Sequence, residues 1–482
     1  MTAEAATPHA APQLRRNSLG LAELVFQGVT HIAPATNVVF TFPIIALKAG
    51  PAMPLSFLLS TIVCFFIGNT VSQFSTYIPS SGGYYSFATR GLGHRSGFMA
   101  TWSYLIYEIL GTAGCTGFLG YLISDMLQMQ FHLNIPWWSI ALATCALIWS
   151  LTHHGIQLSG RVTALLGGLE VLIMLALSIT FLLHPASGST YSAPLKPSAA
   201  SHHFGGILAG MVFSILALSG FEAPAPLAQE ARRPAKFIAQ AITLSLLAIG
   251  IFYIFTSYAS SIGWGTSDMA AFAANPNPYY VLGHALWGGA WWFVVLAIIN
   301  SAVGVGLACT NAASRVMYTM GRAGTLPASF ARIHPAHLTP TFSIAFVQLA
   351  GIVAILLVGI LLKPDTIFGF LETIATLAVI VLYGMSNLAL TRYMRREQPA
   401  SFTVWRHVVA PWIATLVLLP VLFVTIYPQP AWPYNMTPYL FLAAILSGFA
   451  YMQWRESRNP GALRKAALML SQPDPVHDPE PE

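Results

Sequence analysis

The sequence predicts an all-α integral membrane protein with twelve transmembrane helices, and its composition is the first reason. Only 8% of the 482 residues are charged and 55% are hydrophobic, with a mean hydropathy of +0.64. A soluble domain contains roughly 25% charged residues. The hydrophobic residues also form long runs, and a helix needs about 20 of them to cross the hydrocarbon core of a bilayer. Together these observations exclude a soluble globular protein.

The apolar runs define the predicted helices in chain order. The residues before the first run are polar, and that run is too long for the hydrophobic segment of a cleavable signal sequence, so we expect no such signal. The predicted transmembrane helices are residues 22–47, 52–77, 97–127, 136–154, 162–184, 207–230, 237–261, 289–320, 341–362, 366–393, 406–427 and 435–455.

The distribution of Lys and Arg predicts the orientation. With these helix limits, all but three of the 22 basic residues fall on the side that holds both termini; the exceptions are Lys48, Lys196 and Lys363. An excess of basic residues is typical of the cytoplasmic side, so we expect both termini in the cytoplasm and the bundle in the inner or plasma membrane. The formal net charge of +6 then reflects topology. No basic patch with interleaved aromatic residues indicates nucleic-acid binding.

These limits divide the chain into five parts. The two ends are expected to be a disordered cytoplasmic arm and a cytoplasmic tail that finishes in an acidic, proline-rich segment. Between them lie a first set of five helices, a second set of five in inverted orientation, and helices 11 and 12. In chain order the five parts are residues 1–20, 21–184, 207–393, 406–455 and 456–482, of which the first is the arm and the last is the tail.

The four cysteines lie inside predicted helices and show no metal-ligand spacing. We therefore expect free cysteines in the protein core, with neither disulfides nor a zinc site, and no bound metal or other cofactor. The cysteines are Cys64, Cys115, Cys145 and Cys309.

Two predicted helices carry breaks at corresponding places. The first helix contains HIAPATN, residues 31–37, and the sixth helix contains SGFEAP, residues 219–224. We call these segments the first break and the sixth break. Proline removes a backbone donor and blocks the carbonyl one turn earlier, so each segment should open its helix; a simple proline kink is the alternative for either one alone. Freed backbone groups and a buried Glu222 are tolerated at membrane depth only around a protein cavity. Interrupted helices in two inverted halves are typical of a transport site.

Four stretches of the chain resemble the amino acid–polyamine–organocation (APC) superfamily of permeases. In order they are PSSGGYYSFATRGLGHRSGFMATW, SGFEAPAPLAQEARRPAKFIAQAI, NAASRVMYTMGRAGTLP and FGFLETIATLAVIVLYGMSNLALTRY, beginning at residues 79, 219, 311 and 368. The resemblance covers residues 20 to about 455. It implies a LeuT-type five-plus-five inverted repeat with two further helices. Many members carry a Gly-Ser-Gly-type break in the first helix, whereas proline opens the helix here.

The breaks offer complementary groups to an amino acid. The helix half after the first break presents free N–H groups and the positive end of its dipole, which suit a carboxylate. The residues expected to bind that carboxylate follow Pro34 and are Ala35, Thr36 and Asn37. The carbonyls expected to accept from the ammonium belong to Ile32, Ala33, Ser219 and Gly220, and Phe221 completes the predicted substrate site.

Buried ionisable side chains are candidates for binding a coupling ion, which we expect to be a proton rather than sodium. Glu222 adjoins the sixth-helix break and would either bridge to a neighbouring helix or bind the proton. Glu108 lies near Tyr104 and Tyr107, where it would favour a cationic substrate or hydrogen-bond to tyrosine.

Further candidates lie along other helices. The resemblance places Glu170 near a lysine of some proton-coupled members, and a glutamate there would bind a proton or sodium, or pair with an arginine. His31 would shuttle protons or pack in the core. Glu372 would face the site or a neighbouring helix, and Glu23 is expected to be a solvated or capping residue.

Two groups of residues are candidate gates. Leu216 lies one turn before the glycine of the sixth break, where family members often carry a bulky outer-gate residue; Phe221 adjoins it, and core packing is the alternative for both. Glu230, Arg232 and Arg233 lie at the predicted cytoplasmic mouth, where the family pattern implies an inner-gate charge network.

The expected function is secondary transport of amino acids by alternating access. No Gly-rich Lys-Ser/Thr motif for binding ATP is present, so an ion gradient or exchange would drive transport. A polyamine or other organic amine is the alternative substrate. A sensor that binds an amino acid without moving it is the alternative class, whereas an enzyme would need a cluster of catalytic residues that the sequence does not offer.

Overall fold

The computed structural model describes residues 13–275, 278–427 and 430–471. Within these ranges the regular structure is helical, apart from one isolated backbone bridge between Leu19 and Ala231. Eight helical stretches of the described chain are long and apolar enough to cross a membrane. An all-α membrane protein is confirmed at that level, and the count of twelve spans and the inverted repeat stay predictions.

The α-helices of the described residues are numbered in chain order. They are α1 (Leu21–His31), α2 (Pro34–Ala49), α3 (Met53–Tyr77), α4 (Tyr84–Leu92), α5 (His94–Phe131), α6 (Trp137–His153), α7 (Ile156–Leu183), α8 (His203–Ala217), α9 (Pro234–Trp264), α10 (Met269–Ala274), α11 (Pro278–Trp287), α12 (Trp292–Arg322), α13 (Thr341–Leu361), α14 (Ile367–Glu397), α15 (Ala410–Ile426), α16 (Thr437–Arg458) and α17 (Ala462–Ser471).

The first predicted helix is two helices in the structure. α1 ends at His31 and α2 begins at Pro34, and Ala33 between them adopts a left-handed conformation with φ of +57°. Proline suits the first position of α2, because an N–H group is not needed there. The amides of Ile32 and Ala33 still donate to carbonyls of α1, at 3.2 and 3.1 Å. The break predicted from HIAPATN is therefore present.

The sixth predicted helix is interrupted over a longer stretch. α8 ends at Ala217 and α9 begins at Pro234, and the chain between them contains only the short 3-10 helix Ala225–Glu230. Gly220 has a φ of +115°, a conformation that suits glycine. A Cβ atom added to it would lie 2.8 Å from His31 Nδ1, so a side chain at this position would strain the backbone and meet the first break.

Basic side chains lie among the loops at one end of the helical bundle, which we call the basic end. There Arg90 pairs with Glu397, and Arg455 donates to Gly324 O. The other end is called the opposite end below.

The segment before α1 is packed at the basic end. Leu14 and Leu19 are buried, and the N–H of Leu19 donates to Glu230 O at 3.0 Å. The predicted disordered arm is therefore wrong for residues 13–20, because apolar side chains among the polar ones find a site between the loops. Residues 1–12 lie outside the described residues.

The predicted tail also contains an ordered helix. α17 packs against α4 and α5, and Ala462, Leu463 and Ala466 are buried there. These residues share one face of the helix, which explains why the tail docks on the bundle. The acidic, proline-rich residues 472–482 lie outside the described residues.

Apolar side chains cover the outside of the bundle, while ionisable groups lie inside. Leu165, Leu183 and Leu361 are 69%, 71% and 72% exposed, whereas Glu108 and Glu170 are fully buried. This arrangement suits a hydrocarbon surrounding, which solvates apolar side chains and leaves polar groups to find partners within the protein.

Candidate functional site

The two helix breaks lie against each other. His31 Nδ1 is 3.1 Å from Gly220 O, across the contact between the breaks. Asn37 Nδ2 donates to Ile32 O at 2.5 Å and to Ala217 O at 3.3 Å, so one amide side chain joins both breaks. Because these side chains satisfy carbonyls that the broken helices release, the breaks form one site rather than two.

A cavity of about 70 Å³ lies at this contact, and most of the predicted substrate residues line it. Its lining comes from α1, α2, α5, the end of α8, α12 and α14. The lining residues are His31, Ile32, Ala33, Thr36, Asn37, Tyr107, Gly111, Cys115, Leu216, Ser219, Val305, Cys309, Phe368, Glu372, Thr376 and Val379.

A second cavity, of about 360 Å³, continues from the first toward the opposite end. The two share five lining residues, and the second extends to the loop between α15 and α16. The shared residues are Asn37, Leu216, Phe368, Glu372 and Thr376. The inner cavity therefore leads outward through the residues at this junction.

The amides predicted to bind a carboxylate all have acceptors within the protein. Ala35 N donates to Glu170 Oε2 at 3.1 Å, and Thr36 N donates to Ser301 Oγ at 3.3 Å. Asn37 N donates to a backbone carbonyl, as in a regular helix. Thr36 also lines the cavity, and its Oγ1 is buried without a hydrogen-bond partner among the described residues. In this conformation the threonine hydroxyl is thus the unused donor at the first break.

Carbonyls predicted to accept from an ammonium are partly engaged as well. Ile32 O accepts from the side chain of Asn37, Ala33 O accepts from the amide of the same residue, and Gly220 O meets His31. Each carbonyl oxygen has two lone pairs, so these contacts leave one acceptor position on Ile32 O and one on Ala33 O, whereas Gly220 O also accepts from Ala223 N at 3.1 Å.

Glu108 pairs with His31 in the interior. His31 Nε2 lies 3.1 Å from Glu108 Oε2, and both side chains are buried. Because the other ring nitrogen faces the carbonyl of Gly220, which can only accept, that nitrogen carries hydrogen. When Nε2 also carries hydrogen, the imidazole is positively charged and its contact with Glu108 is an ion pair. Glu108 is not among the cavity-lining residues, so the pair lies behind His31 rather than at the cavity surface.

Glu222 bridges the sixth break to α14. Tyr383 donates its hydroxyl to Glu222 Oε1 at 2.7 Å, and Gly220 N donates to Oε2 at 3.1 Å. The bridging interpretation of Glu222 is therefore confirmed, and its role in coupling stays a prediction. Phe221 is buried and stacks on Tyr383 with a centroid distance of 6.2 Å. It does not line the cavity, which agrees with core packing.

Glu170 occupies the N-terminus of α2. One carboxyl oxygen accepts from Ala35 N, while Oε1 is buried and has no hydrogen-bond partner in the part of the chain that the structure describes. Carboxylates are stabilised at helix N-termini by the free amides and the dipole. The Glu170 carboxyl group thus occupies the position at the helix N-terminus that was expected for the carboxylate of the substrate.

Glu372 and Leu216 lie at the junction of the two cavities. Glu372 is the acidic residue that faces the cavity, which resolves the alternative left open by the sequence. For Glu108 the sequence left open a substrate-facing role and a hydrogen bond to tyrosine, and in the structure its carboxylate meets His31. Leu216 lines both cavities, and its gating role stays a prediction.

A buried ion pair lies at the basic end. Arg315 Nε donates to Glu230 Oε2 at 2.9 Å and Nη2 donates to Oε1 at 3.2 Å, with both side chains fully buried. Arg315 lies on α12 six positions after cavity-lining Cys309, or about 9 Å along the helix axis. Arg232, also predicted for this network, is exposed and contributes its backbone N–H to Leu19 O.

Sequence reasoning missed Arg315 as a functional residue. The available signal was a lone arginine within a long apolar run, since an ionisable residue at membrane depth has a function or a partner. Its partner Glu230 was predicted, but the contact between α12 and the sixth break was not readable from either segment alone.

The geometry defines a class of protein. A helical membrane bundle with a polar cavity between two broken helices, leading outward at one end and with a buried ion pair at the other, is characteristic of a secondary transporter.

Comparison with known proteins identifies the family. Residues 24–456 match the family described as amino acid permease, so the chain belongs to the amino acid permease family of the APC superfamily. The resemblance inferred from the four sequence motifs is confirmed.

Curated relatives resemble the chain over most of its length. The branched-chain amino acid permease BcaP of Bacillus subtilis is 27% identical, over 85% of this chain and 87% of its own. The L-asparagine permease of Salmonella typhimurium is 25% identical, over 83% and 81%. The low-affinity putrescine importer PlaP of Escherichia coli is 24% identical, over 72% and 76%.

Proposed function

We propose that the protein is a secondary transporter that moves amino acids across the cytoplasmic membrane by alternating access. The cavity at the two helix breaks is the observation that carries this proposal, and membership of the amino acid permease family supports it. In this proposal the chain has twelve spans, both termini are cytoplasmic, and the breaks lie in the first helix of each inverted five-helix set.

The closed basic end then faces the cytoplasm. The Glu230–Arg315 pair and the packed segment before α1 close this end, while the larger cavity leads to the exterior. Opening toward the cytoplasm requires the sixth break to move away from α12, which separates the two charges. A buried pair is costly to break, so the closed state persists until substrate binding offsets that cost.

The head group of the amino acid would bind at the inner cavity. Its ammonium group would lie near Glu372 and the free lone pairs of the break carbonyls, and Thr36 Oγ1 would donate to its carboxylate. The side chain would point toward Val305, Phe368 and Val379, which are apolar and favour an aliphatic substrate. Branched-chain amino acids, named for the relative BcaP, fit this lining.

A diamine or polyamine is the second candidate substrate. Glu372 faces both cavities, so it would attract a second ammonium group in the outer cavity. The relative named as a putrescine importer supports this candidate.

The His31–Glu108 pair would carry the coupling proton. His31 touches the sixth break through Gly220 O, so movement of that break changes the partners of the imidazole and with them its affinity for a proton. This link joins protonation to the opening of the site.

Uptake by proteoliposomes tests the proposed function. Vesicles containing the purified protein should accumulate labelled leucine, isoleucine or valine when an inward proton gradient is imposed. Accumulation of putrescine but of no amino acid would replace the first substrate class by the second. A ligand that raises the melting temperature without accumulating would instead identify a sensor.

A matched variant tests the coupling pair. Glu108→Gln should lose accumulation driven by the proton gradient while retaining exchange of labelled for unlabelled substrate, because exchange needs no net proton movement. Undiminished gradient-driven accumulation in this variant would remove the pair from the coupling mechanism.

A further inference from the structure

Four histidines from two distant parts of the chain meet at the basic end. His153 is the last residue of α6 and His154 follows it. His334 and His337 lie in the loop between α12 and α13. The ring centroids of His153 lie 5.4 Å from those of both His334 and His337, and His154 lies 5.1 Å from His337. The transport site described above uses none of them.

The spacing of their nitrogen atoms suits a metal ion. His153, His334 and His337 each offer a ring nitrogen, and the three ligand atoms lie within 4.8 Å of one another. All three side chains are half-buried, so an ion could reach them from the aqueous side. Imidazole nitrogen is a preferred ligand of zinc, copper and nickel.

The surrounding contacts hold the cluster together. Thr339 donates its hydroxyl to His153 O at 2.9 Å and thereby ties the loop to the end of α6. His334 N donates to Thr339 O at 2.9 Å, which closes the turn that carries His334 and His337. The two segments are thus joined before any ion binds, and that lowers the ordering cost of binding.

One nitrogen in the cluster lacks a partner. His153 Nδ1 is buried and accepts or donates no hydrogen bond among the described residues. An unpartnered buried polar atom is uncommon, and a ligand at the site would satisfy it. His154 makes its own contact, since Nδ1 lies 2.7 Å from Ser150 O, and it is not among the three residues whose ligand atoms converge.

We propose that His153, His334 and His337 form a site for a divalent transition-metal ion such as Zn²⁺, with water in the fourth position. The ion would clamp the end of α6 to the loop between α12 and α13.

Binding has one local cost, at His334. Its Nδ1 accepts from the amides of Ala336 and His337, both at 3.2 Å, so the neutral ring carries its hydrogen on Nε2. Coordination through Nε2 moves that hydrogen to Nδ1 and releases the two amides. The contact lies at the protein surface, where water can accept from the released amides.

Spectroscopic titration tests the site. The full chain, purified without a polyhistidine tag and stripped with a chelator, is titrated with Co²⁺ and the visible absorption is recorded. We expect a saturating signal at one ion per chain, with an intensity that indicates fourfold coordination, and displacement of Co²⁺ by Zn²⁺. Zn²⁺ should also raise the melting temperature.

Paired variants separate this site from adventitious binding. His334→Gln with His337→Gln should weaken Co²⁺ binding by at least about 100-fold, because two of three protein ligands are lost. His202→Gln with His203→Gln removes two exposed neighbouring histidines in the segment that begins α8 and should leave binding unchanged. Equal binding by wild type and both double variants would overturn the proposal.

A single variant guards against a folding defect. If the first double variant does not fold, His337→Gln replaces it, because it removes one half-buried side chain instead of two. Its melting temperature without metal should match that of the wild type while the shift produced by Zn²⁺ is lost. A full Zn²⁺ shift in this folded variant would also overturn the proposal.

Discussion

At the first break, between α1 and α2, only Ile32 and Ala33 lie outside an α-helix. At the sixth break, between α8 and α9, the α-helix is absent over residues 218–233. We call them the short break and the long break. The short break is fixed on both sides, because the first amides of α2 donate to Glu170 and Ser301. The long break is held mainly by short-range turn bonds, such as Ala223 N to Gly220 O, and by side chains from other helices, such as Tyr383. We infer that the short break is the fixed wall of the site and that the long break is the part that rearranges.

The largest expected effect on uptake comes from adding a methyl group to the long break. Gly220→Ala places a Cβ atom 2.8 Å from His31 Nδ1 at a φ of +115°. Strain and overpacking together cost about 2–5 kcal/mol, so we expect uptake to fall by about 100-fold. Gly384→Ala is the control, since nothing lies within 4 Å of its added Cβ. A folded Gly220→Ala protein with normal uptake would remove the strained turn from the mechanism.

The next effect concerns how the long break is held to α12. Arg315→Met leaves Glu230 charged, buried and unpaired, and we expect the free energy of unfolding to fall by about 3–5 kcal/mol. The double variant Glu230→Met with Arg315→Met should recover most of this loss, because no isolated charge remains. Denaturant unfolding measures both. If the double variant is no more stable than Arg315→Met, the ion pair is not what the arginine contributes.

The same variants sharpen the comparison of the breaks in a functional assay. The double variant should open more readily at the basic end, since no charges need to separate there. A cysteine introduced near position 315 should then react faster with a water-soluble maleimide in the double variant than in the protein with the intact ion pair.

Both breaks could be predicted from the sequence because they depend on local chemistry, whereas contacts between helices could not be predicted. Proline lacks an N–H group wherever it occurs, so Pro34 and Pro224 indicated interruptions without knowledge of the fold. Glu23 was expected to be a solvated or capping residue, and its carboxylate accepts from Gly20 N at 3.0 Å, which confirms capping. These predictions depend only on neighbours in the chain.

The identity of the cavity-facing carboxylate could not be predicted for the opposite reason. Glu108 and Glu372 both lie in mid-helix, and only the rotation of each helix decides that the first meets His31 and the second meets the cavity. A membrane helix with apolar residues on every face carries little periodic signal for that rotation. The Arg315–Glu230 contact was hidden for the same reason.

A smaller effect is expected where the long break is held to α14. Tyr383→Phe removes the hydroxyl that donates to Glu222 Oε1, and a hydrogen bond to a charged group contributes about 1.5–3 kcal/mol, so uptake should fall at least about tenfold. Tyr84→Phe is the matched control, because its buried hydroxyl has no hydrogen-bond partner among the described residues. Equal losses in both variants would show that general packing, not the bond to Glu222, is responsible.

The smallest effect is expected at the junction of the two cavities. Leu216 contributes apolar surface to both cavities, and its truncation in Leu216→Ala should cost about 1 kcal/mol of substrate contact. We therefore expect KM to rise about fivefold with little change in kcat, since substrate and transition state lose the same contact. Leu208→Ala on the same helix is the control, because Leu208 is 41% exposed and lines neither cavity. A fall in kcat with unchanged KM would instead show that Leu216 acts in the opening step, and would extend the moving part of the sixth break into α8.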